Sequence, residues 1–351
     1  MRSIAVIRAL ALGDMICAIP ALRALRARFP DAHIALIGLP WAEEIVRRFP
    51  AYLDELIPFP GFPGIPEVAV DPRRVTAFLT EMQDRGFDLA VQLQGNGLVI
   101  NEFVAMLGAE RLAGFVPAGL GPPRDRPGDT WVEYPATGHE VDRLLRLTTG
   151  LGAAPDDQLE FPVTDEDRAP AARLLSVGGV GAVGERPIAI IHPGGSRPER
   201  RWPAGRFAAV ADTLAGEGLT IVLTGTDGEA AATAAVAAAM RNPVVDLTGR
   251  TSLGELAGLI EIARLVIAND TGVSHLAGAI GTDSVTVFSA SDRERWAPVG
   301  SPRNVAVGPG VAEGETGRVD VPVADVVAAA RDLLSDRTVR GSASGTARSR
   351  G

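Results

Sequence analysis

The chain has 351 residues, with 34 basic side chains, every one of them Arg, against 43 acidic ones and a formal charge of −9. A composition that is 46% apolar and 22% charged describes a soluble globular protein of about two domains and excludes a disordered chain. The acidic balance excludes a basic nucleic-acid surface, and the lone Cys17 excludes an internal disulfide and a Cys-rich zinc site, as fits a cytoplasmic enzyme.

In chain order, Ser3–Arg8 reads as a buried strand rather than a signal peptide, because Arg8 interrupts the apolar run and Gly13-Asp14 closes it. No apolar stretch reaches the roughly 18 residues that a membrane-spanning helix needs. Met15–Phe29 reads as a helix, His33–Leu39 as a strand, Trp41–Phe49 and Arg73–Arg85 as helices, and Phe87–Gln94 as another buried strand. A segment rich in Pro, Gly, Asp and Ala follows at Pro155–Glu185, with a helix predicted at Asp165–Ser176. The pattern then restarts. Pro187–His192, Leu219–Thr224, Val244–Leu247, Leu265–Ala268 and Ser284–Phe288 read as strands, alternating with helices at Ala204–Glu217, Glu229–Arg241, Ser252–Ala263 and Val273–Ile280. Such alternation predicts βαβ units and parallel sheets covered on both faces. Ser335–Gly351 lacks apolar periodicity and reads as a disordered tail.

Four segments carry candidate chemistry. In Arg8-Ala-Leu-Ala-Leu-Gly13-Asp14, the strand turns at Gly13 and a carboxylate arrives at the start of a helix. Asp14 there is either a helix cap or a base able to take a proton from an acceptor hydroxyl at the carboxyl end of the first strand. In His192-Pro-Gly194-Gly195-Ser196-Arg197-Pro-Glu-Arg200-Arg201-Trp202-Pro203, a Gly/Ser loop precedes three guanidiniums, which suits phosphate or simply a solvated surface loop. In Asn269-Asp270-Thr271-Gly272-Val-Ser-His275, Asp270 or Thr271 caps a helix whose first amides suit an anion. His275 reads equally as a core histidine or a ligand contact. In Gly225-Thr-Asp-Gly-Glu229, the glutamate is either a helix-entry carboxylate or a grip on a ribose diol. The glycines Gly179, Gly181 and Gly184 match a dinucleotide fingerprint by spelling. They precede a strand instead of following one, so they read as a hinge.

Together, ALGDM near the start, HPGGSRPERRW, GTDGE and NDTGVSHLAGAIG resemble glycosyltransferase family 9, the heptosyltransferase family, in order and approximate spacing over all but the tail. The resemblance implies an α/β fold of GT-B type, with two Rossmann-like domains facing each other across a cleft. It places an acceptor-binding domain at 1–160, a linker at 161–186, a nucleotide-sugar domain at 187–335 and a disordered tail at 336–351. The last helix, near Ala324–Leu334, is expected to pack back on the first domain. Asp14 is then the general base, in a loop with Arg8 and Gly13 on the acceptor side. Arg200 stands where the family usually has the Lys of a Lys-x-Trp motif at the donor phosphate, a change from point charge to planar fork. Ser196 approaches the phosphate, Glu229 holds the ribose, and Thr251, Ser252 and Leu253 lie against the nucleobase. Asp270 lies near the donor sugar with Thr271, Gly272 and His275 beside it. The implied reaction is inverting and metal-independent, moves a heptose from ADP-heptose to an acceptor hydroxyl, and needs no cofactor.

The acceptor is the open question. Cut at residue 175, the first part carries 17 Arg against 24 acids and the second 17 against 19. An acidic acceptor half is unfavourable for an anionic glycolipid, so the expectation is a neutral or cationic small molecule such as an aminocyclitol. Transfer to a lipopolysaccharide core is the alternative acceptor. A GT-B sugar-nucleotide epimerase or a noncatalytic nucleotide-sugar binder is the alternative class. A monomer without a transmembrane segment or nucleic-acid partner is expected.

Overall fold

The computed structural model describes residues 1–124, 126–177, 186–312, 315 and 317–344, the side chains of 177 and 336–344 excepted. The hinge glycines Gly179, Gly181 and Gly184 lie outside the described residues. The chain divides into two compact units, Met1–Gln158 and Leu159–Gly351.

The first unit contains β1 (Ser3–Ile7), α1 (Leu12–Arg28), β2 (His33–Gly38), α2 (Glu43–Arg48), β3 (Glu55–Pro58) and α3 (Pro72–Arg85). It continues with β4 (Leu89–Gln92), α4 (Ile100–Met106), β5 (Arg111–Val116), β6 (Thr130–Glu133) and α5 (Glu140–Gly150). Its sheet has the order β3-β2-β1-β4-β5-β6, with every neighbouring pair parallel. Helices on both faces leave the central strands no solvent side, and Ile4–Ile7 and Leu89–Gln92 are accordingly buried throughout. Pro72 at the first helical position and the Asp71 carboxylate, which accepts from the Arg73 amide at 2.9 Å, start α3; Gly86, at φ 61°, ends it.

The second unit contains α6 (Asp165–Val177), β7 (Ile188–His192), α7 (Ala204–Gly216), β8 (Thr220–Leu223), α8 (Ala230–Ala239), β9 (Val245–Asp246) and α9 (Leu253–Ile262). It ends with β10 (Leu265–Asn269), α10 (Gly272–Ile280), β11 (Ser284–Val287), α11 (Arg293–Trp296), β12 (Asn304–Val307) and α12 (Val323–Ser344). Its parallel sheet runs β12-β11-β10-β7-β8-β9, the same order as the first when each unit's strands are counted from its own start. Both Rossmann-like units implied by the resemblance are therefore present. In each, the strand order reverses once, at β1/β4 and at β7/β10. Loops diverge there, and ligands of doubly wound sheets bind outside the carboxyl ends of those strands.

The sequence reading does not pick out β3, β5, β6, β12, α4, α5 or α11, and it differs from the structure in two further details. Helix α1 begins at Leu12 with Ala11 as its N-cap residue, so Asp14 sits inside the first turn and is not the cap. Gly13 does not break the helix because amides of a first turn have no intrahelical acceptor to lose. The helix predicted at Asp165–Ser176 is present as α6, whose Ala171 packs against α9 at Gly258, where an added Cβ would stand 2.9 Å from the Ala171 Cβ. Helix α12 continues to Ser344, into the segment expected to be irregular, because extending a helix from a packed base costs little per residue. Its buried residues Val326, Val327, Ala330 and Leu333 belong to the core of the second unit.

Candidate functional site

In the first unit, the β1/β4 reversal is organised by Arg8, only 1% exposed. A buried guanidinium must have its donors satisfied, and here they bind three separate elements. Nε donates to the Asp14 carbonyl at 2.9 Å, Nη1 donates to the Leu93 carbonyl, and Nη2 meets Glu140 Oε1 at 3.3 Å. Nη2 also lies 3.9 Å from Asp14 Oδ1. Arg8 is thus the pin that holds the first turn of α1, the loop after β4 and the start of α5 together. Glu140, itself buried, balances its charge, leaving Asp14 as the more exposed carboxylate at 27%. Asp14 also sits at the positive end of the α1 dipole, which favours an anionic group. On the β4 side, Gln92 is wholly buried; it donates to the Gln94 carbonyl and accepts from the Phe115 amide.

In the second unit, Asn269 joins the two loops of the β7/β10 reversal. Its Nδ2 donates to the carbonyls of Pro193 and Gly194, both at 2.9 Å, and its Oδ1 accepts from the Trp202 amide at 2.9 Å. Glu229 ties in the third loop. Its Oε1 accepts from the Gly195 amide at 2.6 Å and its Oε2 from the Thr226 amide and hydroxyl at 2.8 and 2.9 Å. A Cβ at residue 194 would fall 2.2 Å from Glu229 Oε1, so the carboxylate can occupy this place only beside glycine. Burial pushes the Glu229 carboxyl up, but the neighbouring His192 and the Thr226 and Gly195 hydrogen bonds outweigh it and hold the carboxyl below its ordinary value. Burial pulls the His192 imidazole below its ordinary value, against the attraction of Glu229 3.8 Å away. His192 Nδ1 pairs with Thr224 Oγ1 at 3.1 Å.

The anion-ready groups stand above this frame. Thr271 is the N-cap residue of α10, yet its side chain makes no cap bond, and its buried Oγ1 has no hydrogen-bond partner among the described residues. Beside it, Arg200 Nη1 meets Asp270 Oδ2 at 3.4 Å, and His275 Nε2 lies 4.0 Å from Asp270 Oδ1. The N-cap position thus falls on Thr271 and not on Asp270, whose carboxylate sits between a guanidinium and an imidazole. His275 is 2% exposed and packs edge-on to Trp296, with ring centroids 6.2 Å apart.

The fold thus brings Arg200, Asp270, Thr271, Gly272 and His275 to one sheet reversal, with Glu229 fastened to it through Gly195. Ser196 is exposed in the same loop. Thr251, Ser252 and Leu253 follow β9, and the loop before them is bound to the β8 loop by the Gly249 amide, 2.8 Å from the Gly225 carbonyl. The Ser252 hydroxyl accepts from the Glu255 amide at 3.2 Å as the cap of α9. Arg8 and Gly13 flank Asp14 in the first unit. Asn269, Glu140 and Gln94 were given no role in the sequence reading; only Asn269, a polar residue closing an apolar strand, carried a local signal. Among the described residues, no three His, Cys, Asp or Glu side chains gather as metal ligands, and no helix is long and apolar enough to cross a membrane.

Comparison with known proteins gives the family. Lipopolysaccharide heptosyltransferase 3 of Escherichia coli is 28% identical over 216 residues, a stretch spanning 57% of this chain and 62% of that protein. Lipopolysaccharide heptosyltransferase 2 of Salmonella typhimurium is 26% identical over 299 residues, 82% of each chain. The structure of the E. coli ADP-heptose lipopolysaccharide heptosyltransferase II superposes with a TM-score of 0.74 at 21% identity, over 96% of this chain and 100% of that one, and shares the GT-B-like α/β fold. The family model for glycosyltransferase family 9 (heptosyltransferase) matches residues 75–315, more than half of the chain, and the chain belongs to glycosyltransferase family 9 and is a glycosyltransferase.

Proposed function

We propose that the protein is an inverting, metal-independent heptosyltransferase that uses ADP-heptose. The observation that carries this reading is the β7/β10 reversal, where Arg200 and the start of α10 converge and the Thr271 hydroxyl is buried without a partner among the described residues. A departing nucleoside diphosphate gathers negative charge on its terminal phosphate oxygen. Arg200 and the first amides of α10 neutralise it, a type of stabilisation worth about 3–4 kcal/mol for a key group. Asp14 takes the proton of the acceptor hydroxyl, whose oxygen forms the new bond to the anomeric carbon as the bond to the diphosphate breaks. Attack opposite the leaving group inverts that carbon. ADP-heptose as donor is supported by the likeness to the superposed E. coli enzyme, an ADP-heptose heptosyltransferase.

For the acceptor we favour a neutral or cationic small molecule, because residues 1–158 carry 15 Arg against 20 acids. Lipopolysaccharide core is the second reading, favoured by the similar E. coli and Salmonella proteins, both lipopolysaccharide heptosyltransferases. Incubation with ADP-heptose and with UDP-sugars, read by nucleotide release and melting shift, tests the donor. ADP-heptose alone should raise the melting temperature, and EDTA should leave ADP release unchanged. A response to UDP-sugars only, or loss of turnover in EDTA, contradicts the reading.

A further inference from the structure

The loop after β4 carries a residue the mechanism above does not use. Gln94 follows β4 by two positions and is 7% exposed. Its Oε1 accepts from the Ala9 amide at 2.7 Å, across the β1/β4 reversal. That bond sets the amide's orientation, since the opposite flip would place two donors against each other. Its backbone is held as well, the carbonyl receiving the Gln92 side-chain amide. Both N–H donors of Nε2 are left over, and no described residue bonds them. An amide fixed at its oxygen and vacant at its nitrogen is arranged to donate to a ligand oxygen.

Arg8 fastens the loop of this donor to the helix turn of the base. The same guanidinium that bonds the Asp14 carbonyl bonds the carbonyl of Leu93, the residue before Gln94. One buried cation therefore ties the first turn of α1, which carries the acceptor carboxylate Asp14, to the loop that carries the donor Gln94. We propose that Gln94 is a specificity-determining residue that donates a hydrogen bond to the acceptor oxygen next to the reacting hydroxyl. The acceptor class this selects is a polyol with oxygens on neighbouring carbons, and a lone hydroxyl is disfavoured. The inference rests on the reading that the first unit takes the acceptor at Asp14.

The test uses the full chain, labelled with nitrogen-15, and two six-membered-ring probes that differ in their hydroxyls, myo-inositol and cyclohexanol. Inositol at millimolar concentration should move the Gln94 side-chain amide signals and the Asp14 backbone amide, and cyclohexanol should move neither. Gln94→Glu keeps the oxygen facing Ala9 and removes the donors; Gln94→Met removes both. Each should weaken the inositol response of the Asp14 amide about ten-fold, with the melting temperature of Gln94→Glu unchanged. No inositol response, an equal response to cyclohexanol, or undiminished inositol binding in both variants overturns the proposal. Turnover of Asp14→Asn is measured alongside. If that variant remains active while the Gln94 response is intact, the base assignment fails and the polyol site stands.

Discussion

Changing Asn269 to Asp alters one atom and little volume, yet it should unhinge the second unit. Asn269 is fully buried, and its Nδ2 supplies the only hydrogens between itself and the Pro193 and Gly194 carbonyls, each 2.9 Å away. Aspartate keeps the oxygen that accepts from Trp202 but turns an acceptor toward two acceptors. A buried group left without its partner costs about 1–3 kcal/mol, so two such carbonyls cost about 2–6 kcal/mol. Whole domains are stable by only about 5–15 kcal/mol. Urea denaturation measures the loss, and ADP-induced melting shifts report whether the loops still hold nucleotide. Asn96→Asp is the control: its Oδ1 accepts from the Leu98 amide in an exposed loop, a role aspartate keeps, so the change should stay within about 0.5 kcal/mol. An Asn269→Asp protein as stable as this control, with ADP binding intact, would refute the hinge argument.

Other outcomes follow from the same frame. Thr271→Val removes an oxygen that has no partner among the described residues, so stability should stay within about 0.5 kcal/mol while ADP affinity falls about ten-fold; calorimetry and melting separate the two. Arg200→Gln should weaken ADP binding and slow turnover by at least about 100-fold if the guanidinium stabilises the leaving group, while Arg200→Lys recovers part of the loss. His192 and Glu229 both titrate below their ordinary values in the folded protein, so the native state binds fewer protons than the unfolded chain. Their stabilisation is complete above the ordinary histidine value of 6.5 and is lost as pH falls, first with His192 and then through the carboxylate range. Melting temperature against pH should show that slope, and His192→Asn should flatten its upper part; stability rising toward acid would contradict it.

The sequence made the strand ends legible and left their fastenings hidden. IAVI, IAII and LVIAN are buried on both faces, so continuous apolar runs located β1, β7 and β10, and the loops leaving them followed. β3 and β6 escaped notice because they are short and largely half-exposed, without the all-apolar run of a central strand. Asp14 looked like a cap because Gly13 resembled a turn, whereas glycine in a first helical turn sacrifices no hydrogen bond. The GTDGE motif leaves Glu229 open between a helix-entry carboxylate and a ribose grip. The structure shows it as the helix-entry carboxylate and adds a bond to Gly195, 34 residues earlier, that no local pattern carries. The Arg8–Glu140 pair spans 132 residues and was equally invisible.

The most direct measurement of the central claim is ADP release from ADP-heptose by Asp14→Asn beside the unchanged enzyme, together with ADP-heptose binding by both. Binding should persist, because every donor group described lies in the second unit, while release in the presence of acceptor should be abolished. Turnover that survives with binding intact would contradict the assignment of Asp14 as the base.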